Sequence, residues 1–128
     1  MADANAGMGL HKEKRLSKYG NKKTIIEGVC FDSKKEANKY CELKLLLRCG
    51  EITGIELQPK FELQPKFEHE GKTHRAIHYI ADFRITHKSG RIEVIDVKAS
   101  KNFSTNVYKI KKKLLLFKYP EIEFSESY

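Results

Sequence analysis

The stretch YIADFRITHKSGRIEVIDVK, residues 79–98, decides how this chain is read. Tyr79, Ala81, Phe83 and Ile85 alternate with Ile80, Asp82 and Arg84. A polar turn with a terminal glycine follows, His87-Lys88-Ser89-Gly90. Ile92, Val94, Asp96 and Lys98 then alternate with Glu93, Ile95 and Val97. The pattern predicts two short strands in a hairpin, with Asp82 and Asp96 on adjacent strands. Lys98 lies two residues past Asp96 and so shares its face. Two acids and a lysine on a mostly apolar sheet face need a physical reason. A divalent cation is the best one.

Upstream, Lys22 to Phe31 predicts another hairpin, turning at Glu27-Gly28. Asp32-Ser33 then opens a helix that runs to about Cys49, with Gly50 as terminator. Ser33 and Glu36 have capping-box spacing. On a helical wheel Glu36, Tyr40, Leu43 and Leu47 form one stripe, while Glu42, Lys35, Lys39 and Leu45 lie opposite. Glu36 thus heads a core-facing stripe. It is either the capping acid or a site residue, and the two roles are compatible.

A tandem repeat comes next. ELQPKF at 56–61 is followed at once by ELQPKF at 62–67. Six residues are too few for a solenoid unit. Leu57, Phe61, Leu63 and Phe67 suggest half-buried extended chain, with Pro59 and Pro65 at edges or bulges. His69-Glu70-Gly71-Lys72 predicts a turn into a strand holding Arg75, Ile77 and Tyr79.

A second helix is expected from Thr105 to Lys118, with Val107, Ile110, Leu114 and Phe117, spaced 3, 4 and 3, as its apolar face. Lys109, Lys111, Lys112, Lys113 and Lys118 make the remainder basic. Such helices are commonly just solvated, but this one follows the acidic pair closely, which favours phosphate binding. Tyr108 is a further candidate contact. Tyr119-Pro120 ends the helix, and Ile122 and Phe124 suggest a last strand.

Composition bounds the reading. A chain of 128 residues suits one domain, here 19–128, preceded by a basic arm at 1–18 that has no apolar period. No run approaches the roughly 20 apolar residues of a membrane span, and the N-terminus lacks a signal-peptide core, so no membrane partner is expected. Cys30, Cys41 and Cys49 form no CxxC pair. This argues against a disulfide framework or structural zinc and fits a reducing cytoplasm. The net charge of +8, from 25 basic and 17 acidic side chains, favours a polyanion, most simply nucleic acid. A basic protein with no such partner is the plain alternative.

The acids and lysine suit phosphodiester hydrolysis. Hard carboxylate oxygens suit Mg²⁺, which polarises a phosphoryl oxygen and lowers the pKa of bound water. A nearby ammonium can hold the attacking water or offset the charge that develops on phosphorus. The plain alternative pairs Asp82 with Arg84 or Arg75 at the surface and makes Asp96 and Lys98 ordinary edge-strand polarity.

Ala81-Asp82-Phe83 and Asp96-Val97-Lys98, behind a helix opened by Phe31-Asp32-Ser33-Lys34-Lys35-Glu36, resemble the PD-(D/E)XK nuclease superfamily. The resemblance runs from about Lys22 to Phe124. The doubled ELQPKF, YIADF, VIDVKAS and the lysine-rich helix look like a family of small phage-encoded proteins within it. The order is also similar to that of phage junction-resolving endonucleases. The resemblance implies an α/β (α+β) restriction-endonuclease-like core, a central mixed β-sheet flanked by helices, and dependence on Mg²⁺ or Mn²⁺. It makes Asp82 the main metal ligand and Asp96 the second, with the Val97 carbonyl completing the site. Lys98 orients the water. Glu36 serves a second metal or a metal-bound water. Lys101, Lys109, Lys111, Lys112 and Lys113 are the expected DNA contacts. Ala81 stands where the motif has proline, and Asp96 where glutamate is commoner.

The implied activity is a metal-dependent DNA endonuclease in the bacterial host cytoplasm, acting on branched or replicating DNA and leaving a 5′-phosphate. A homodimer is open, because junction resolvases cut two strands symmetrically. The rival expectations are a DNA-binding module of the same fold without cleavage and a phage structural or assembly protein.

Overall fold

A computed structural model describes residues 23–100 and 104–128. The expected basic arm at 1–18 and the expected DNA contact Lys101 lie outside the described residues. The chain divides into two compact units, one ending at Glu42 and one beginning at Leu43.

The first unit holds the expected hairpin. Strand β1 (Thr24–Ile26) pairs antiparallel with β2 (Val29–Phe31). Glu27 and Gly28 take φ of 51° and 81° between them. Two consecutive positive φ values match the twist of a tight hairpin. Helix α1 (Lys34–Arg48) follows, and the Ser33 hydroxyl accepts from the Glu36 amide at 3.2 Å. Tyr40 is buried and Glu36 is half-buried, as the stripe predicts, and Ala37 is buried as well. The Phe31 and Tyr40 rings meet at 5.0 Å.

In the second unit, α1 continues through buried Leu43 and ends at Gly50, whose φ is 81°. Strands β3 (Ile52–Leu57), β4 (Lys60–Gln64), β5 (Phe67–His69), β6 (Lys72–His74), β7 (Ile77–Ile80), β8 (Phe83–His87) and β9 (Ile92–Val97) come next. Helix α2 (Asn106–Lys118) and strand β10 (Glu123–Ser127) complete the chain. The main sheet has the order β10-β9-β8-β3. It is mixed, with β10 parallel to β9 and the other neighbours antiparallel. The fold is therefore mixed α and β. No helix among the described residues is long and apolar enough to cross a membrane.

The expected hairpin is present as β8 and β9, but the run from Tyr79 to Ile85 is not one strand. It breaks at Ala81-Asp82, opposite a second break at Gln58-Pro59 between β3 and β4. Ala81 N–H bonds the Pro59 carbonyl at 3.1 Å, and Gln58 N–H bonds the Asp82 carbonyl at 3.0 Å. Gln58 adopts a φ of 49° to make this corner, and Pro59 is fully buried in it. A proline without a donor N–H fits such a break. Beyond the corner, β7 pairs with β4 rather than extending the β8–β9 ladder. The strand expected to hold Arg75, Ile77 and Tyr79 also divides, into β6 and β7, with Arg75 between them.

Phe61, Tyr79, Ala81, Val94 and Leu115 form a buried cluster, with Leu63, Tyr108, Tyr119, Ile122 and Phe124 packed against it. Helix α2 covers this cluster through Tyr108, Leu115 and Tyr119. The apolar face read from the sequence lies outward instead. Val107, Ile110, Leu114 and Phe117 are 63%, 60%, 42% and 84% exposed. Two apolar stripes compete on this helix. The one carrying two tyrosines wins because their hydroxyls find acceptors: Tyr108 donates to Glu126, and Tyr119 donates to the Glu62 carbonyl at 2.9 Å.

Candidate functional site

The corner at Ala81-Asp82 builds the site. Once β7 turns away to β4, Val97 has no β8 main-chain acceptor beside it. The Asp82 carboxylate fills that place, its Oδ2 accepting from Val97 N–H at 2.7 Å. The Asp82 amide meanwhile donates to the Ile95 carbonyl at 3.2 Å. Asp82 thus grips the residues on both sides of Asp96. In a strand a residue's N–H and C=O point to the same edge, so the Val97 carbonyl shares the edge on which Asp82 sits.

Asp96 is 7% exposed and lies in β9, an interior strand between β8 and β10. The reading of Asp96 and Lys98 as edge-strand polarity is therefore wrong. Among the described residues, two groups meet Asp96, and both meet Oδ2. Tyr79 donates its hydroxyl there, and Lys98 Nζ lies 3.2 Å away. The Lys98 ammonium also sits 3.3 Å from the centre of the Tyr108 ring. A cation over an aromatic face is held by the ring quadrupole. Lys98 is thus fixed between a carboxylate and a ring, on the face that α2 covers.

Two tyrosines and a glutamate complete the surroundings. Burial, then the bond to Asp96, pushes the Tyr79 hydroxyl far above its ordinary value, so it remains a donor. Burial, then the bond to Glu126, raises Tyr108 as well. Glu126 stands beside Asp96 in the parallel β10–β9 register. It receives the Tyr108 hydroxyl, then Tyr128 Oη at 2.8 Å and Lys112 Nζ at 3.3 Å. The Tyr108 hydroxyl is the main influence holding its carboxyl below the usual range.

Of the expected site residues, the structure brings together Asp82, Asp96, Val97 and Lys98. Glu36 occupies the first turn of α1, half-buried, and belongs to the first unit. Lys109 and Lys113 are exposed and Lys111 is half-buried on α2. Lys112 turns to Glu126 and the Phe124 ring, and half-buried Tyr108 packs against the cluster and donates to Glu126. Sequence reasoning did not find Tyr79 or Glu126 as site residues. Tyr79 sits three residues before Asp82, a spacing that means nothing until the corner folds it under Asp96. Glu126 depends on a parallel register that no local pattern encodes.

The donors present fit a hard cation. Among the described residues no three His, Cys, Asp or Glu side chains gather as a ligand group. A cation here would take two carboxylates and a backbone carbonyl, leaving its other positions to water or phosphate, as Mg²⁺ prefers.

No curated protein and no solved structure matches the chain. Residues 16–127 match the family described as protein of unknown function (DUF1064), and the chain belongs to that family.

Proposed function

We propose that this chain is a metal-dependent DNA endonuclease built on a PD-(D/E)XK-like core. The observation that carries the reading is the grip of Asp82 on Ile95 and Val97, the residues on either side of Asp96, with Lys98 Nζ held at Asp96 Oδ2. The mixed sheet, preceded by one helix and crossed by another before its parallel last strand, supports it.

In this reading Asp82, Asp96 and the Val97 carbonyl hold Mg²⁺ or Mn²⁺. The bound ion supplies Lewis-acid polarisation of a phosphoryl oxygen and a more acidic water. Tyr79 and Lys98 hold Oδ2 of Asp96, so Oδ1 would be the oxygen offered to a cation. Lys98 Nζ orients a water for in-line attack, and its charge offsets the charge that develops on phosphorus. Glu36 is assigned to a second cation or its water by the resemblance alone. Exposed Lys109, off the apolar stripe of α2, contributes to backbone binding. Branched or replicating DNA is the proposed substrate.

The test incubates the protein with supercoiled, linear and four-way-junction DNA, with and without Mg²⁺ or Mn²⁺. The reading requires cleavage that depends on the ion, disappears in Asp82→Ala and falls steeply in Lys98→Ala. DNA binding without cleavage would leave only a binding module, and indifference to DNA would sink both.

A further inference from the structure

We propose that the outer face of α2 is a docking surface for an acidic amphipathic helix of another protein. Val107, Ile110, Leu114 and Phe117 are the residues on that face, each at least 42% exposed. Their spacings of three, four and three are those of positions a and d in a heptad, the seam along which two helices pack. The seam lies away from the buried side of α2, which Tyr108, Leu115 and Tyr119 already use. The helix is therefore anchored on one side and apolar on the other.

The borders of the seam say what fits. On the heptad frame Lys111 and Lys118 fall at e positions and Lys113 at g. These flank the contact and choose its partner by charge. A second copy of this chain would place lysine against lysine in either helix orientation, because a two-fold contact opposes the same surface to itself. Residues 1–22 do not complement the seam either. They carry Lys12, Lys14, Arg15, Lys18 and Lys22 against Asp3 and Glu13, with no apolar period. A phosphate backbone would neutralise the lysines but leave the four apolar side chains in water. A helix with apolar a and d positions and glutamates at e and g satisfies both the stripe and its borders.

The experiment uses the full chain and two synthetic heptad peptides, each with leucine at a and d. One carries glutamate at e and g, the other lysine. Fluorescence anisotropy should show the glutamate peptide binding at least about tenfold tighter than the lysine peptide, a gap that narrows as salt screens the charges. Phe117→Gln and Ile110→Gln should each weaken binding at least about fivefold. Both positions are exposed, so circular dichroism should show the fold unchanged. Equal binding of the two peptides, or binding of neither, overturns the proposal. So does a concentration-dependent dimer in sedimentation that Phe117→Gln abolishes, which would make the occupant a second copy. Phe117-dependent binding to anionic phosphatidylserine vesicles, with no peptide binding, would assign the face to a membrane surface instead.

Discussion

The β8–β9 hairpin carries charged groups at both ends, and the two ends are built differently. At the turn, Glu93 has a separate partner for each oxygen: His87 Nε2 meets Oε1 at 2.8 Å, and the Ser125 hydroxyl donates to Oε2 at 2.7 Å. Burial alone would raise the Glu93 carboxyl, but the Ser125 and His87 bonds outweigh it and hold the group below its ordinary value. Arg91 pairs with Glu123 across the neighbouring strand. At the open end, both partners of Asp96 crowd onto one oxygen, and Asp82 reaches across to a main-chain N–H. One end is a closed set of structural bonds. The other ties Asp82 to the main chain on both sides of Asp96 and sets the Lys98 ammonium on Asp96. Acids of one hairpin thus differ in how their partners are shared: Glu93 divides them between two oxygens, and Asp96 takes both on one.

The largest expected difference between the ends is in cleavage. Asp82→Ala should abolish it, and Lys98→Ala should lower it about 10²- to 10⁴-fold, the range for a group that moves or holds a proton in the transition state. Glu93→Gln should leave it unchanged in the same plasmid-nicking assay. Equal losses at both ends would erase the distinction.

Next comes Tyr79→Phe. It removes a hydrogen bond to a buried carboxylate and should cost about 2 kcal/mol in urea unfolding. Cleavage should fall as well, because Asp96 loses one of the two groups that fix it. Unaltered stability would show that Asp96 does not need Tyr79.

The acid limb of stability tests the turn end. Glu93 has a folded pKa below its ordinary 4.5, so its bonds stabilise fully above that value and fade as pH falls below it through the folded value. Glu126 is depressed too and acts in the same direction. Glu93→Gln should therefore lose about 1 kcal/mol near neutral pH and less at about pH 3.5. A mutant deficit that grows with acid would contradict the assignment. Smallest of all, Arg91→Ala should cost about 0–1 kcal/mol, because its pair with Glu123 is half exposed. A larger loss would mean that the turn end depends on this pair.

Much of this architecture was legible in the chain. Alternation gave the β8–β9 hairpin, the capping pattern gave the start of α1, and Asp82, Asp96 and Lys98 were named from their spacing. Two errors have a common cause. The run from Tyr79 to Ile85 alternates without interruption, and nothing local says that it bends at Ala81-Asp82. Helix α2 offers two apolar stripes, and nothing local says which of them a sheet will cover. In both cases the answer lies in a partner distant in sequence: Gln58-Pro59 for the bend, Glu62 and Glu126 for the helix.

The doubled hexapeptide separates the two kinds of information. Both copies of ELQPKF enter extended structure, as their residues dictate. Yet Phe61 is 5% exposed in the main cluster, and Phe67 is 43% exposed on the β5–β6 hairpin, stacked on His74. Pro59 is buried at a corner, whereas Pro65 is exposed. Identical side chains cannot choose between these fates, because burial depends on what arrives from elsewhere in the chain. By itself the sequence determined the periods, the turns and the identity of the acids. Tertiary structure alone decided which faces are covered and which oxygens meet, since those depend on strand register and helix docking over long separations.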